Sequence, residues 1–223
     1  MSKNILVIAA HPDDEVLGCG GTIASRSYEG DQVNIVFVAD GVGARLADFE
    51  CNLKERKKSA YKAASILGVK SVEFFDFPDN QLDTIPLLSI VQKLEQIIEK
   101  FKPEIIYTHH YGDLNIDHQI THRATMTACR PSPHSSIKQI YAYEVLSSTE
   151  WALNGNVLKP QYFVNIAEFI NQKIDALSAY EKEVRLFPHP RSFEAVRHLA
   201  ALRGAHMGQQ FCEAFQLIRY IHD

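Results

Sequence analysis

Long apolar runs are missing from this 223-residue chain: no window approaches the ~20 apolar residues that a membrane-spanning helix needs. Cysteine is scarce and dispersed. Cys19, Cys51, Cys129 and Cys212 form no C-x-x-C pair, which argues against a zinc ribbon or a disulfide framework and makes the reducing cytoplasm the expected location. All four read as free structural thiols. An excess of positive charge is lacking as well. The net charge is −4 and the isoelectric point about 6.2, so no global basic field exists to hold nucleic acid or an anionic membrane surface. The sequence has no G-x-S-x-G turn, which leaves a serine hydrolase without support. Repeats, low-complexity tracts and linkers are also absent, and the length suits one domain with a substantial core. Met1-Ser2-Lys3-Asn4 leads straight into Ile5–Ala10 with no small-residue cleavage site after it, and His11-Pro12 end the run. That pattern reads as a core strand rather than a signal peptide.

What is present is strand–helix alternation. Ile5–Ala10 is a continuous apolar run, as expected of a strand buried on both faces. Helical composition follows over Val16–Tyr28, a second strand over Val33–Ala39, a helix over Asn52–Leu67 closed by Gly68, and a third strand over Val72–Phe77. Leu87–Phe101 is an amphipathic helix stopped by Lys102-Pro103, and Ile105–Tyr107 is a fourth strand. The order predicts an α/β domain with a mostly parallel sheet and helices on both faces. Residues 1–130 are expected to form the core sheet, and 131–223 the substrate loops and closing elements. Asp117–Ala128 reads as helix, Ile140–Val145 as strand and Ala167–Glu183 as helix again.

Ligands of open parallel sheets bind beyond the carboxyl ends of the strands. The first strand ends in His11-Pro12-Asp13-Asp14-Glu15, the second in Asp40-Gly41, and the fourth leads through His109-His110 to Asp113-Leu114-Asn115-Ile116-Asp117-His118. Three carboxylates and a histidine in five residues repel one another unless a cation offsets them. Imidazole with carboxylate suits zinc, or another divalent transition metal, better than calcium or magnesium. His11 and Asp14 can point to one ion, and His118 is the best-placed third candidate. His122, at i+4 from His118, could join it on a two-ligand face, but three ligands suffice for a catalytic zinc.

Ala10-His11-Pro12-Asp13-Asp14-Glu15 with Asp117-His118 closely resembles the LmbE/PIG-L-type N-deacetylases, Rossmann-like zinc enzymes acting on N-acetylated sugars and sugar conjugates. The similarity extends to Asp40-Gly41 through Arg45, to Arg56, to Ala63 through Gly68, and to Arg203-Gly204 and Glu213-Ala214-Phe215. It implies His11, Asp14 and His118 as ligands of one Zn2+ per chain and Asp13 as general base. Asp117 and Glu15 are then expected to support those residues without touching the metal. Family members with a His-Pro-Asp-His motif carry a histidine where this chain has Asn115, which could donate a hydrogen bond but cannot act as an acid. Asn115, His110, Arg45 and Arg56 are the candidate substrate or oxyanion contacts, and Trp151, Tyr143 and Tyr162 the candidates to stack on a sugar ring. The expected partner is a small N-acetylated sugar, with homo-oligomers possible.

Two other classes compete. Gly18-Cys19-Gly20-Gly21, with Asp40 some twenty residues on, imitates a dinucleotide fingerprint and would suit a nicotinamide-dependent oxidoreductase or nucleotide-binding module. Three carboxylates at the mouth of the turn would repel a pyrophosphate, however, and glycines inside a helix also serve close helix–sheet packing. A non-catalytic metal-stabilised interaction domain would not need Asp13 as an unliganded carboxylate.

Overall fold

The computed structural model describes residues 2–43, 49–152 and 155–222. A seven-stranded sheet runs in the order β3-β2-β1-β4-β5-β7-β6, built from β1 (Asn4–Ala9), β2 (Gln32–Ala39), β3 (Ser71–Phe77), β4 (Ile105–His109), β5 (Gln139–Tyr143), β6 (Tyr162–Asn165) and β7 (Cys212–Tyr220). The first five are parallel, and β7 pairs antiparallel with both β5 and β6. This is the single-domain, mostly parallel sheet that the alternation predicts.

Helices α1 (Asp14–Tyr28), α2 (Phe49–Leu67), α3 (Leu87–Phe101), α4 (Ile116–Ala128), α5 (Ile170–Ser178) and α6 (Phe193–Ala205) cover it. The alternation of β1 explains why its sequence is apolar throughout. Ile5, Val7 and Ala9 pack into one core with α1, α2 and α5, whereas Leu6 and Ile8 pack into a second core with Ile90 and Leu94 of α3 and Ile120 and Ala124 of α4. Gly68 closes α2 with φ +75°, a conformation that only a residue without Cβ adopts at little cost.

In the second half the structure departs from the sequence pattern at four elements. The helical stretch expected over 167–183 is cut to Ile170–Ser178, and β6, α6 and β7 are not announced by periodicity. β6 is a four-residue edge strand, too short for alternation to register. β7 is buried only over its first four residues and exposed or half-exposed after them.

Because β1 and β4 are neighbours, the chain leaves β1 for one face and β4 for the other. The two departing loops diverge at this switch point and leave a crevice between them. His11, Asp13 and Asp14 lie on the first loop and its helix start, and Asp113, Asp117 and His118 on the second and on α4.

Candidate metal centre

The turn after β1 is tight and strained. Asp13 has φ 129° and ψ −27°, a left-handed region unusual for an aspartate. Glu15 holds it there: its Oε2 accepts the Asp13 N–H at 2.9 Å, and its Oε1 accepts the Tyr180 hydroxyl at 2.6 Å. Burial pushes the Glu15 carboxyl up to about 8.

The turn directs Asp14 inward, where its Oδ2 lies 3.2 Å from His11 Nδ1 and 3.2 Å from His118 Nε2. The donor atoms of His11, Asp14 and His118 all fall within 4.8 Å of one another, and all three residues are buried. Each imidazole is oriented through its other nitrogen. His118 Nδ1 is 3.2 Å from Asp113 Oδ2, which also accepts from Ser148 Oγ at 3.1 Å and Thr149 Oγ1 at 2.5 Å. His11 Nε2 is 3.0 Å from Asp117 Oδ2 and 3.1 Å from Asp79 Oδ1. Asp117 is itself fixed by the backbone N–H groups of Asn80 and Leu82. Carboxylates that settle ligand tautomers in this way are typical of metal sites.

The electrostatics favour a cation. Burial alone would discharge the histidines, but Asp117, Asp14 and Asp79 outweigh it and raise His11 well above its usual range. At His118 burial is likewise overcome, by Asp14 and Asp113, which hold its pKa at about 9. Burial opposes ionisation of Asp14, yet His118 and His11 bring it well below the carboxylate range. Asp14 Oδ1 and His118 Nε2 nevertheless remain buried without a hydrogen-bond partner. Two orphaned donor atoms of matching chemistry beside a third are what a tetrahedral transition-metal ion would satisfy, so the residues present fit such an ion.

Asp13 is not one of the three donors. Its Oδ2 meets Arg56 Nη2 at 3.4 Å and Arg191 Nη1 at 3.2 Å. Burial raises its pKa against the opposing pull of the two guanidinium groups. Arg56 is buried between Asp13 and Glu183, whose Oε1 is 2.6 Å from Nη1. On its outer side lies a cleft of about 320 Å³ between α2 and residues 179–183, lined in part by Val42, Ser59, Lys62 and Tyr180.

Other candidates fall elsewhere. His109, not His110, stands against the cluster: its ring stacks on His118 at 4.0 Å, and its Nε2 accepts the Ala10 N–H at 2.8 Å. His110 turns to the Asn156 carbonyl at 2.9 Å and His122 to the His109 carbonyl at 2.8 Å, so neither joins the three donors. Asn115 caps α4, its side-chain oxygen accepting the Asp117 N–H at 2.8 Å. Tyr143 is fully buried against Gly18 and cannot stack on a sugar, Tyr162 stacks on Tyr141, and Trp151 is exposed. Arg45 lies outside the described residues.

The glycines of α1 serve packing. A Cβ on Gly18 would lie 2.3 Å from the Tyr143 ring, and one on Gly21 2.8 Å from Ile166. Asp40 accepts the N–H groups of Val42 and Gly43 and so closes a turn. Nothing in the sequence singles out Asp79, Asp113 or Arg191 for a role. Asp113 was detectable only as a carboxylate five residues before His118, and Arg191 comes from a loop about 180 residues away in sequence.

A mostly parallel sheet covered on both faces, with a buried imidazole–carboxylate cluster at its switch point, has the form of an α/β protein built to hold a metal ion. The chain belongs to the family described as PIG-L: GlcNAc-PI de-N-acetylase, which matches residues 6–129. It is 31% identical over 185 residues to the uncharacterized deacetylase YaiS of Escherichia coli, covering 80% of this chain and 91% of that one. It is 28% identical over 191 residues to a probable N-acetyl-alpha-D-glucosaminyl L-malate deacetylase 2 of Bacillus cereus, covering 82% and 84%. Among solved structures, the N,N'-diacetylchitobiose deacetylase of Pyrococcus horikoshii, complexed with its inhibitor MPG, superposes with a TM-score of 0.81. The match has 23% identity and covers 98% of this chain and 84% of that chain. Among the described residues no helix is long and apolar enough to cross a membrane.

Proposed function

We infer that the protein is a zinc-dependent N-deacetylase that hydrolyses the acetamide of an amino sugar or sugar conjugate. The observation that carries this reading is the convergence of His11 Nδ1, Asp14 and His118 Nε2, two of whose atoms are orphaned, beside a carboxylate that does not join them. Family membership supplies the reaction class. The cleft beside Arg56 adjoins Asp13 through that arginine alone, and none of His11, Asp13, Asp14 and His118 lines it.

His11, Asp14 and His118 would hold the ion, which when bound polarises the amide carbonyl and makes water acidic enough to attack near neutral pH. Asp13 takes the proton of the attacking water as the C–O bond forms, and then delivers it to the amide nitrogen as the C–N bond breaks, giving acetate and a free amine. Burial keeps Asp13 basic enough for the first transfer, while Arg56 and Arg191 keep it ionised beforehand and fix its direction. Asp113 and Asp117 hold the ligand imidazoles.

Metal analysis together with an amine-release assay over a panel of N-acetylated sugars tests this reading. A metal-replete protein that releases no amine from any panel member would overturn it. Micromolar binding of a nicotinamide cofactor would point instead to an oxidoreductase.

A further inference from the structure

Helix α1 is broken one and a half turns after Asp14. At Cys19 the backbone leaves the helical conformation (φ −146°, ψ 23°), which separates a short first segment, carrying Asp14 and Glu15, from the rest. A break inside a buried helix strands carbonyls on one side and N–H groups on the other. Here one ion pair meets both needs. Glu213 of β7 accepts the N–H of Gly21 at Oε1 (2.9 Å) and of Thr22 at Oε2 (2.7 Å), capping the second segment with a carboxylate. Lys173 of α5 donates to the Leu17 carbonyl at 2.9 Å, closing the first segment, and to Glu213 Oε1 at 2.5 Å. Both side chains are 4% exposed, so water cannot substitute for either.

We propose that Glu213 and Lys173 are positioning residues for the metal centre: they lock the break in α1 and thereby set the direction of its first turn, from which Asp14 reaches its two histidine partners. The proposal rests on the reading of Asp14 as a ligand. The glycines support it, because Gly21 has no room for a Cβ beside Ile166 and a Cβ on Gly20 would lie 3.3 Å from Lys173 Cγ. The backbone is therefore pressed against Lys173 itself at Gly20, and at Gly21 against the connection that leads from β6 into α5. Without the pair the first segment could continue into the second as ordinary helix, which would rotate Asp14 relative to His118 on α4. Metal geometry tolerates such displacement poorly.

The test uses the full chain stripped of metal and titrated with Zn2+ against a competing chromophoric chelator, with thermal melting in parallel. The variants are Glu213→Gln, the double variant Glu213→Gln/Lys173→Met, and Val33→Ala, buried at the start of β2, at the end of the sheet remote from the metal centre. In the Glu213 variants the Kd for Zn2+ should rise on the order of tenfold or more, the scale of losing a residue that orients a ligand. Val33→Ala should melt earlier while its Kd stays that of the wild type. The double variant removes both buried charges, so it carries the test if Glu213→Gln, which leaves Lys173 uncompensated, does not fold. A wild-type Kd in a folded Glu213 variant would overturn the proposal, as would equal weakening in Val33→Ala. If neither Glu213 variant folds, the pair is a stability element and the proposal also falls. A wild type that takes up no Zn2+ would remove the metal-centre reading itself, which is a separate result.

Discussion

Two of the ionic clusters buried against helix α1 are balanced differently. Around Lys173 and Glu213 charge and hydrogen bonds close: one cation meets one anion, and Glu213 accepts from three donors. Around His11 and His118 they do not. Three carboxylates, Asp14, Asp113 and Asp117, face the imidazoles of His11 and His118, beside a His109 that burial keeps uncharged, and two buried donor atoms have no partner. Even with both imidazoles protonated, the second cluster keeps an excess of negative charge, which a buried site retains only at substantial cost. The difference teaches which cluster is complete in itself and which is built for a cation from outside.

Removing metal ligands should give the largest effect. His118→Ala and Asp14→Asn should each weaken metal binding by more than the roughly 100-fold that an orienting residue is worth, with activity returning in part for Asp14→Asn in excess metal. Elemental analysis after dialysis reads the loss, and full retention in both variants would make the two clusters alike. Asp13→Asn should behave differently. Its metal content should stay near normal while kcat falls by a factor on the order of 10²–10⁴, the usual worth of a positioned base. Greater metal loss in Asp13→Asn than in Asp14→Asn would show that the neighbouring carboxylates exchange these roles.

How far the sequence discloses these clusters follows from where their residues lie. The parallel half of the sheet is legible because β1 and β2 are buried on both faces and α3 has an amphipathic face with a proline-bounded end. His11, Asp13 and Asp14 stand out because charge crowds a strand end. The Lys173–Glu213 pair leaves no comparable trace. A lone lysine in an amphipathic helix and a lone glutamate at a strand start look like solvated charges, and only the fold brings them within 2.5 Å. Arg191 is hidden for the same reason. The fold also reassigns tyrosines: Tyr143 reads as a stacking candidate but fills the space that Gly18 leaves open.

That contact gives a third, intermediate effect. Gly18→Ala places a methyl where the ring stands, at 2.3 Å, so either α1 or Tyr143 must shift. Overpacking of this kind costs about 1–3 kcal/mol, which lowers Tm by several degrees in a chain of this size. Unchanged Tm would mean that the glycine is not there for packing, and a simultaneous loss of nucleotide binding would revive the dinucleotide reading.

The smallest effect concerns Asn115, which sits where related motifs carry a histidine. Its side-chain oxygen caps α4 through the Asp117 N–H, and its own N–H donates to Asp113 Oδ1 at 2.8 Å. Asn115 thus links the two carboxylates that orient His118 and His11, and it can do so without touching substrate. Asn115→Ala should cost about 1 kcal/mol, the usual worth of an N-cap, and lower Tm slightly. Asn115→Ser keeps a capping oxygen but removes the amide donor. If Asn115 acts as a cap, the serine variant should match the wild type in both Tm and kcat, while alanine loses stability with kcat nearly unchanged. If its amide instead stabilises the developing oxyanion, serine should keep the Tm and lose kcat by a factor on the order of 10²–10³, the value of one such donor. Melting and steady-state kinetics on the two variants therefore separate a residue that steadies the metal centre from one that works on the substrate.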